Sequence, residues 1–288
     1  MNYKNLCRWL GGLMVLIAAC SAPTQPGAGT PGTSAGPTTS TLDRVKAVGV
    51  VRVGIRFDNP PLSYIDSSGA WVGFDVDLAN ALAQRLGVKI EQVKVDETTR
   101  ISFLQEGKID MAVASMNHTR TREAAVDFSL TYFWDQQTFM VRKDSGLNQL
   151  SDLFGHKVAL NAGSSAIEAW KKYVADHAGP PPEIVEFTDK VAAMQALRDG
   201  AVDGYAEDGI TLLALAAGDS NLGLLPGGIN PVQFGIGLPV NDSQWRDAIN
   251  YALQDIWKDG AYRTIYDKWL GPTAAVPLPL GGAMEIWP

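Results

Sequence analysis

The sequence predicts an α/β fold assembled from two similar blocks, and three observations carry that expectation. From Leu42 onward, short β-branched runs such as Val50-Val51-Arg52-Val53-Gly54-Ile55 alternate with amphipathic helical runs, the pattern of a parallel sheet. After Gly73, apolar residues recur every four positions at Phe74, Leu78, Leu82 and Leu86, which places one apolar stripe on a helix. Finally, Leu104-Gln105-Glu106-Gly107-Lys108-Ile109-Asp110 is echoed by Leu197-Arg198-Asp199-Gly200-Ala201-Val202-Asp203. Both heptapeptides read as a helix end, a glycine cap and the start of a buried strand.

With 288 residues the chain is long enough for two domains of ordinary size. Hydrophobic residues at 46% and charged residues at 19% make an ordinary soluble balance. The net charge of -7 argues against nucleic acid as a partner, because that partner needs a basic face.

In chain order, residues 1–19 read as a targeting segment. Lys4 and Arg8 give it a positive end, and the apolar run from Leu10 to Ala19 is too short to span a bilayer. Ile17-Ala18-Ala19-Cys20 resembles a bacterial lipoprotein cleavage box. That likeness implies cleavage before Cys20 and a lipid on its sulfur; the alternative is an ordinary secretory signal with a chance cysteine. Cys7 and Cys20 are the chain's two cysteines, so the mature domain holds no thiol for a disulfide, a metal or a nucleophile. Residues 20–41 carry Pro, Gly, Ser and Thr without charge and read as a disordered linker.

The first strand covers 50–55. The helix at 75–86 follows, with Asp75 and Asp77 offsetting the positive helix end and Gly87 as cap. A strand at 89–95, a short helix at 98–106 stopped by Gly107 and a strand at 109–113 complete the first block. The second block opens with a strand at 157–160. A helix beginning at Gly163-Ser164-Ser165 runs to about Ala178, where Gly179-Pro180-Pro181-Pro182 breaks it. A strand at 184–187 and a helix capped by Asp189 come next. The last helices cover 243–258, with Trp245, Ile249, Ala252 and Ile256 as the buried stripe, and a shorter stretch ending at Leu270. The Pro- and Gly-rich tail, 272–288, is expected to be loosely held.

The ordered set of landmarks resembles the bacterial extracellular solute-binding proteins of family 3, which feed polar amino acids to ABC importers. The landmarks are Val53-Gly54-Ile55-Arg56 leading to Pro61, Gly73-Phe74-Asp75-Val76-Asp77-Leu78, Ser115-Met116-Asn117 with Arg122, and Asp127-Phe128-Ser129. Asp152 to Ala159, Gly163, Gly200 with Asp203 and Asp208, Phe234-Gly235-Ile236-Gly237 and Tyr266-Asp267-Lys268-Trp269 follow in order. The resemblance implies a type II periplasmic-binding-protein-like fold, two α/β lobes joined by two hinge strands. Lobe 1 would be 42–133 with 235–271, and lobe 2 would be 137–230. It further implies an extracytoplasmic, lipid-anchored monomer. Its partners would be a free L-amino acid, the permease subunits of an ABC transporter and, through Cys20, the membrane. Neither cofactor nor metal is expected.

A zwitterion needs a fixed cation, a fixed anion and further donors, because burying either of its charges unpaired costs several kcal/mol. By family position, Arg122 resembles the guanidinium that takes the α-carboxylate, the alternative being a solvated charge. Asp208 resembles the aspartate that pairs with the α-ammonium, the alternative being a turn residue before Gly209. Ser115 and Asn117 are further candidates. Gly163, Ser164 and Ser165 offer either helix N–H groups to a carboxylate or a simple N-cap. Many relatives stack the ligand between two aromatics, where this chain has Asn59 and Glu97. Arg56 and Arg100 with those neighbours resemble the glutamate/aspartate-binding branch, with Lys190 a weaker candidate for the same side-chain carboxylate. The alternative pairs Arg56 and Arg100 with Glu97, Asp58 or Asp96 as structural bridges. Glutamine or another polar amino acid is then the ligand.

Two other classes remain in view. Exported dehydratases of cyclic acids share the fold, but a catalyst needs a poised acid or base. His118, His156 and His177 are the chain's histidines, and no triad, nucleophile elbow or metal-ligand spacing appears. A ligand-sensing receptor module would need a separate signalling partner, since no transmembrane segment follows Leu270.

Overall fold

The chain is ordered before its first strand: Ser40 caps the first helix and donates its hydroxyl to Asp242 Oδ1 at 2.8 Å. The structure, a computed structural model, describes residues 39–287. The targeting segment, Cys20 and most of the expected linker lie outside the described residues. At its far end the linker expectation is corrected, because Ser40 and Thr41 bond to Asp242 and begin a helix.

The elements of the first block are α1 (Thr41–Val48), β1 (Val50–Arg56), β2 (Asp58–Asn59), β3 (Ser63–Ile65), β4 (Trp71–Val72), α2 (Phe74–Leu86), β5 (Lys89–Val95), α3 (Arg100–Gln105), β6 (Met111–Asn117) and α4 (Arg120–Glu123). β7 (Asp127–Arg142) leads to β8 (Lys157–Asn161), α5 (Ala166–Asp176), β9 (Glu183–Phe187), α6 (Lys190–Arg198), β10 (Gly204–Asp208), α7 (Gly209–Leu215) and β11 (Leu222–Leu224). The chain returns through β12 (Asn230–Leu238) and ends with α8 (Ser243–Lys258) and α9 (Ala261–Leu270).

The main sheet has the order β5-β1-β6-β12-β7-β10-β8-β9, with β11 also on β7. β5, β1 and β6 are parallel to one another, as are β10, β8 and β9. Between these sets run β12 and β7, antiparallel to each other from Asn230↔Gln137 to Leu238↔Asp127. β7 then continues as the partner of β10 and β11. The two parallel sets are thus joined through β7 and β12.

Apolar clusters lie on both faces of each parallel set, so the inner strands β1, β6, β8 and β10 are almost wholly buried while the edge strands β5 and β9 carry exposed charges. Phe74, Leu78 and Leu82 of α2 are fully buried and meet Trp245, Ile249 and Ile256 of α8 in the largest cluster. Gly73 opens α2 at φ 133°, and a Cβ there would sit 2.2 Å from Leu62 O, so only glycine fits.

The repeated heptapeptide does the same work twice. Asp110 N–H donates to Arg52 O at 2.8 Å while Asp110 Oδ2 accepts Arg52 N–H at 2.8 Å. Asp203 N–H donates to Lys157 O at 2.7 Å while Asp203 Oδ2 accepts Lys157 N–H at 3.1 Å. In each block this carboxylate locks the start of one strand to a neighbouring strand.

The tail departs from expectation. Val276 and Met284 are buried in the large cluster, and Tyr266 donates its hydroxyl near Leu278 O and Pro279 O, both at 3.1 Å. Its Pro and Gly residues shape an extended strap whose apolar residues find a dry surface on α9 and Trp134.

Candidate functional site

Parallel strands deliver their C-terminal ends to one side of a sheet, and in open α/β sheets ligands bind there. β1 ends at Arg56, β5 runs into Glu97, and β6 ends at Ser115 and Asn117. From the other parallel set, β8 runs into Gly163-Ser164-Ser165 and β10 ends at Glu207 and Asp208. The two groups face each other across a narrow cleft. A Cβ on Gly163, at φ 76°, would lie 3.0 Å from Glu97 O on the opposite wall.

Hydrogen bonds cross the cleft at several points. Arg122 Nη2 donates to Gly163 O at 3.0 Å, while its Nη1 donates to Asn117 O at 2.9 Å. Asn117 Nδ2 donates to Ser165 Oγ at 3.1 Å, and Thr211 Oγ1 donates to Asn59 Oδ1 at 2.9 Å. Lys190, the first residue of α6, bonds to Glu207 on its own side and reaches Glu97 at 3.2 Å on the other. The cleft therefore gathers Arg56, Asn59, Arg100, Ser115, Asn117, Arg122, Gly163, Ser165, Lys190 and Asp208. Ser164 accepts the Ala166 N–H at 3.2 Å, the simple capping role, and lines a pocket of about 290 Å³ at the rim with Arg122, Gly163 and Ser165.

The cations are arranged differently from the acidic-ligand expectation. Arg56 is 2% exposed and grips Asp58 with two bonds of 3.0 Å and Glu97 with one of 2.5 Å. Lys190, 1% exposed, is held by Glu207 and Glu97. Both are ion-paired with the protein's own carboxylates, so they do not present uncompensated charge. Arg100 Nη1 donates to Ala114 O at 2.8 Å and Ser115 O at 3.2 Å. Its Nε is buried without a hydrogen-bond partner among the described residues. Burial and then the nearby Arg122 push its guanidinium down to about 9.

The anions show the reverse imbalance. Burial works to raise Glu97, yet Lys190 and Arg56 hold it well below the usual carboxylate range. Burial pushes Glu207 and Asp208 upward, and Lys190 offsets this only in part. Glu97 Oε2 and Glu207 Oε2 are both buried without a hydrogen-bond partner among the described residues. Leaving such acceptors unpaired costs on the order of 1–3 kcal/mol each, more when charged.

Several cleft residues escape a reading by spacing. Asp75 is fully buried and accepts Ser115 Oγ–H at 2.7 Å and Tyr132 O–H at 3.1 Å. Ser115 Oγ in turn accepts from Asn59 Nδ2 at 3.1 Å. Ser115 sits at φ 48°, a left-handed conformation rare for a residue with a Cβ, and this network pins it there. A signal existed for Asp75: it shares the helix face of Leu78, Ala79 and Leu82. Gln137, which donates to Ser165 Oγ at 2.9 Å and Asp208 Oδ1 at 3.1 Å, and Thr211 carry no such mark.

Residues 51–272 match the family described as bacterial extracellular solute-binding proteins, family 3. A glutamine-binding protein of Geobacillus stearothermophilus is 32% identical over 237 residues, covering 77% of this chain and 86% of that one. An ancestral arginine-binding protein, solved bound to arginine, is 35% identical with a TM-score of 0.72, covering 77% of this chain and 99% of that one. An ancestral arginine-binding protein bound to glutamine is likewise 35% identical, with a TM-score of 0.70 over 77% of this chain and 98% of that one.

Proposed function

The chain belongs to the bacterial extracellular solute-binding proteins of family 3, and from that premise we propose that its cleft binds a polar amino acid whose side chain ends in a hydrogen-bond donor, glutamine foremost, for delivery to an ABC importer. One observation carries the choice of side chain: the two buried acceptors, Glu97 Oε2 and Glu207 Oε2, lack donors among the described residues. A terminal amide offers two N–H groups, and a guanidinium offers more. A carboxylate offers none.

Charge supports the same choice. Arg56 is ion-paired with Asp58 and Glu97, and Lys190 with Glu207 and Glu97, so neither of these cations is left free for a side-chain carboxylate. A ligand with a neutral side chain needs no such free cation, and glutamate does. The glutamate/aspartate preference expected from Arg56 and Arg100 thereby loses its physical basis, and the glutamine- and arginine-binding relatives point the same way.

In this account Arg122 and Arg100, two cations that repel each other, share the α-carboxylate with the N–H groups before α5. Asp208 takes the α-ammonium, while Ser115 and Asn117 complete the cradle. Residues 42–133 with 235–271 and residues 137–230 act as lobes that close on the ligand by turning about β7 and β12, a population shift driven by contacts made when shut. The protein binds and releases rather than transforms its guest. It acts as a monomer, held at the cell envelope by a lipid on Cys20.

Calorimetry of the soluble domain with glutamine, arginine, glutamate and aspartate tests the assignment. Glutamine is expected at micromolar Kd or tighter, which corresponds to about -8.2 kcal/mol. Glutamate binding tighter than glutamine overturns it.

A further inference from the structure

Resting on that reading of the cleft, we propose that Lys190 is the residue that sets side-chain selectivity: its ammonium fills the cation position between Glu207 and Glu97, so a ligand ending in an amide is accepted and one ending in a cation is turned away. Lys190 is 1% exposed and bridges carboxylates from opposite walls, one on β10 and one beyond β5. Helix formation does not explain its presence. It is the first residue of α6, immediately after the Asp189 cap, where the helix end is already positive and a cation is disfavoured. Nor is it a solvated surface charge. The contacts that compensate its burial are Glu207 and Glu97, and Arg56 meets the same Glu97 oxygen, Oε1, at 2.5 Å.

With both cations in place, each carboxylate keeps one unpartnered oxygen among the described residues. Those oxygens suit an N–H donor that brings no charge. A second cation at the same place meets Lys190 and Arg56 at short range. The protein thus carries, as a tethered side chain, the charge that a cationic ligand would bring, and the repulsion acts as discrimination against that ligand.

Citrulline and arginine separate charge from shape, since they are near-isosteres that end in a neutral urea and a guanidinium. Calorimetry with the wild-type protein is expected to give citrulline a Kd about tenfold or more below that of arginine, the repulsion being attenuated by the surrounding carboxylates. In K190M, which keeps the length of the side chain and removes its charge, the order reverses. Arginine binding as tightly as citrulline in the wild type overturns the proposal, and that arm holds even if K190M does not fold. A folded K190M whose citrulline-to-arginine ratio stays within threefold of wild type overturns it too, leaving Lys190 a simple clasp between the walls. A wild-type protein that binds glutamine but prefers arginine to citrulline removes the role of Lys190 alone. One that binds none of the three removes the cleft assignment and this proposal with it.

Discussion

Arg122→Ala tests the residue proposed to take the ligand's α-carboxylate. In the structure the guanidinium spends one N–H on Asn117 O at 2.9 Å and another on Gly163 O at 3.0 Å, and the second bond crosses the cleft. The side chain is buried, so water does not replace it easily. Two consequences follow, of different sizes. The protein loses two hydrogen bonds from a charged donor, each about 1.5–3 kcal/mol, offset by relief of a buried charge that Arg100 repels. In the proposed binding mode the ligand also loses the fork for its α-carboxylate, which then enters the cleft underpaired. Truncating one partner of such a buried pair costs about 2–5 kcal/mol, or roughly 30- to 4,000-fold in Kd. Calorimetry with glutamine measures the second effect and thermal melting the first. Arg122→Lys, which keeps the charge but not the planar fork, is expected to fall between wild type and Ala. An affinity for Arg122→Ala within threefold of wild type, in a protein that still melts cooperatively, refutes the reasoning and takes Arg122 out of the ligand site.

Two further substitutions probe the frame. Burial pushes the Asp75 carboxyl up to about 6, with the hydroxyls of Ser115 and Tyr132 pulling the other way. A raised carboxyl binds its proton more tightly when folded, so its contribution to stability grows as pH falls through about 6 and levels off near the unfolded value of about 4. Asp75→Asn should flatten that part of the profile by on the order of 3 kcal/mol; parallel melting profiles for variant and wild type from about pH 4 to about pH 7, a range that brackets both titration points, would count against it. The repeated strand lock predicts unequal costs, because Asp110 is 1% exposed and paired with Arg44 and Arg52 while Asp203 is a third exposed. Asp110→Asn should cost about 3–5 kcal/mol in denaturant unfolding and Asp203→Asn about 0–1; equal losses sink the comparison.

Local patterns made much of the frame legible before any coordinates. The four-residue stripe of Phe74, Leu78, Leu82 and Leu86 becomes the buried face of α2, and Trp245, Ile249 and Ile256 do the same for α8. The echo ending at Asp110 and Asp203 becomes a shared strand lock. Pairing across the chain was legible only as an alternative: the bridge from Arg56 to Glu97 or Asp58 stood beside the acidic-ligand expectation, and the structure bears it out for Arg56. Arg56 and Glu97 are 41 positions apart, and Lys190 and Glu207 are 17 apart. Their spacing could not choose between a bridge and a free cation, and for Lys190 it offered no partner. The tail misled for a related reason. Its Pro and Gly content reads as loose chain, whereas the surface that receives Val276 and Met284 exists only after α9 and β7 come together.

β7 runs sixteen residues without a break, and most of its first ten pair with β12 in an antiparallel ladder. A joint of that kind behaves as a torsion spring. The irregular register around Gly235 and Gly237 gives the ribbon a compliant spot, while the hydrogen-bonded rungs on either side resist free swinging. In the closure proposed above, such a ribbon would store part of the closing strain and help the halves part once the ligand's contacts are loosened.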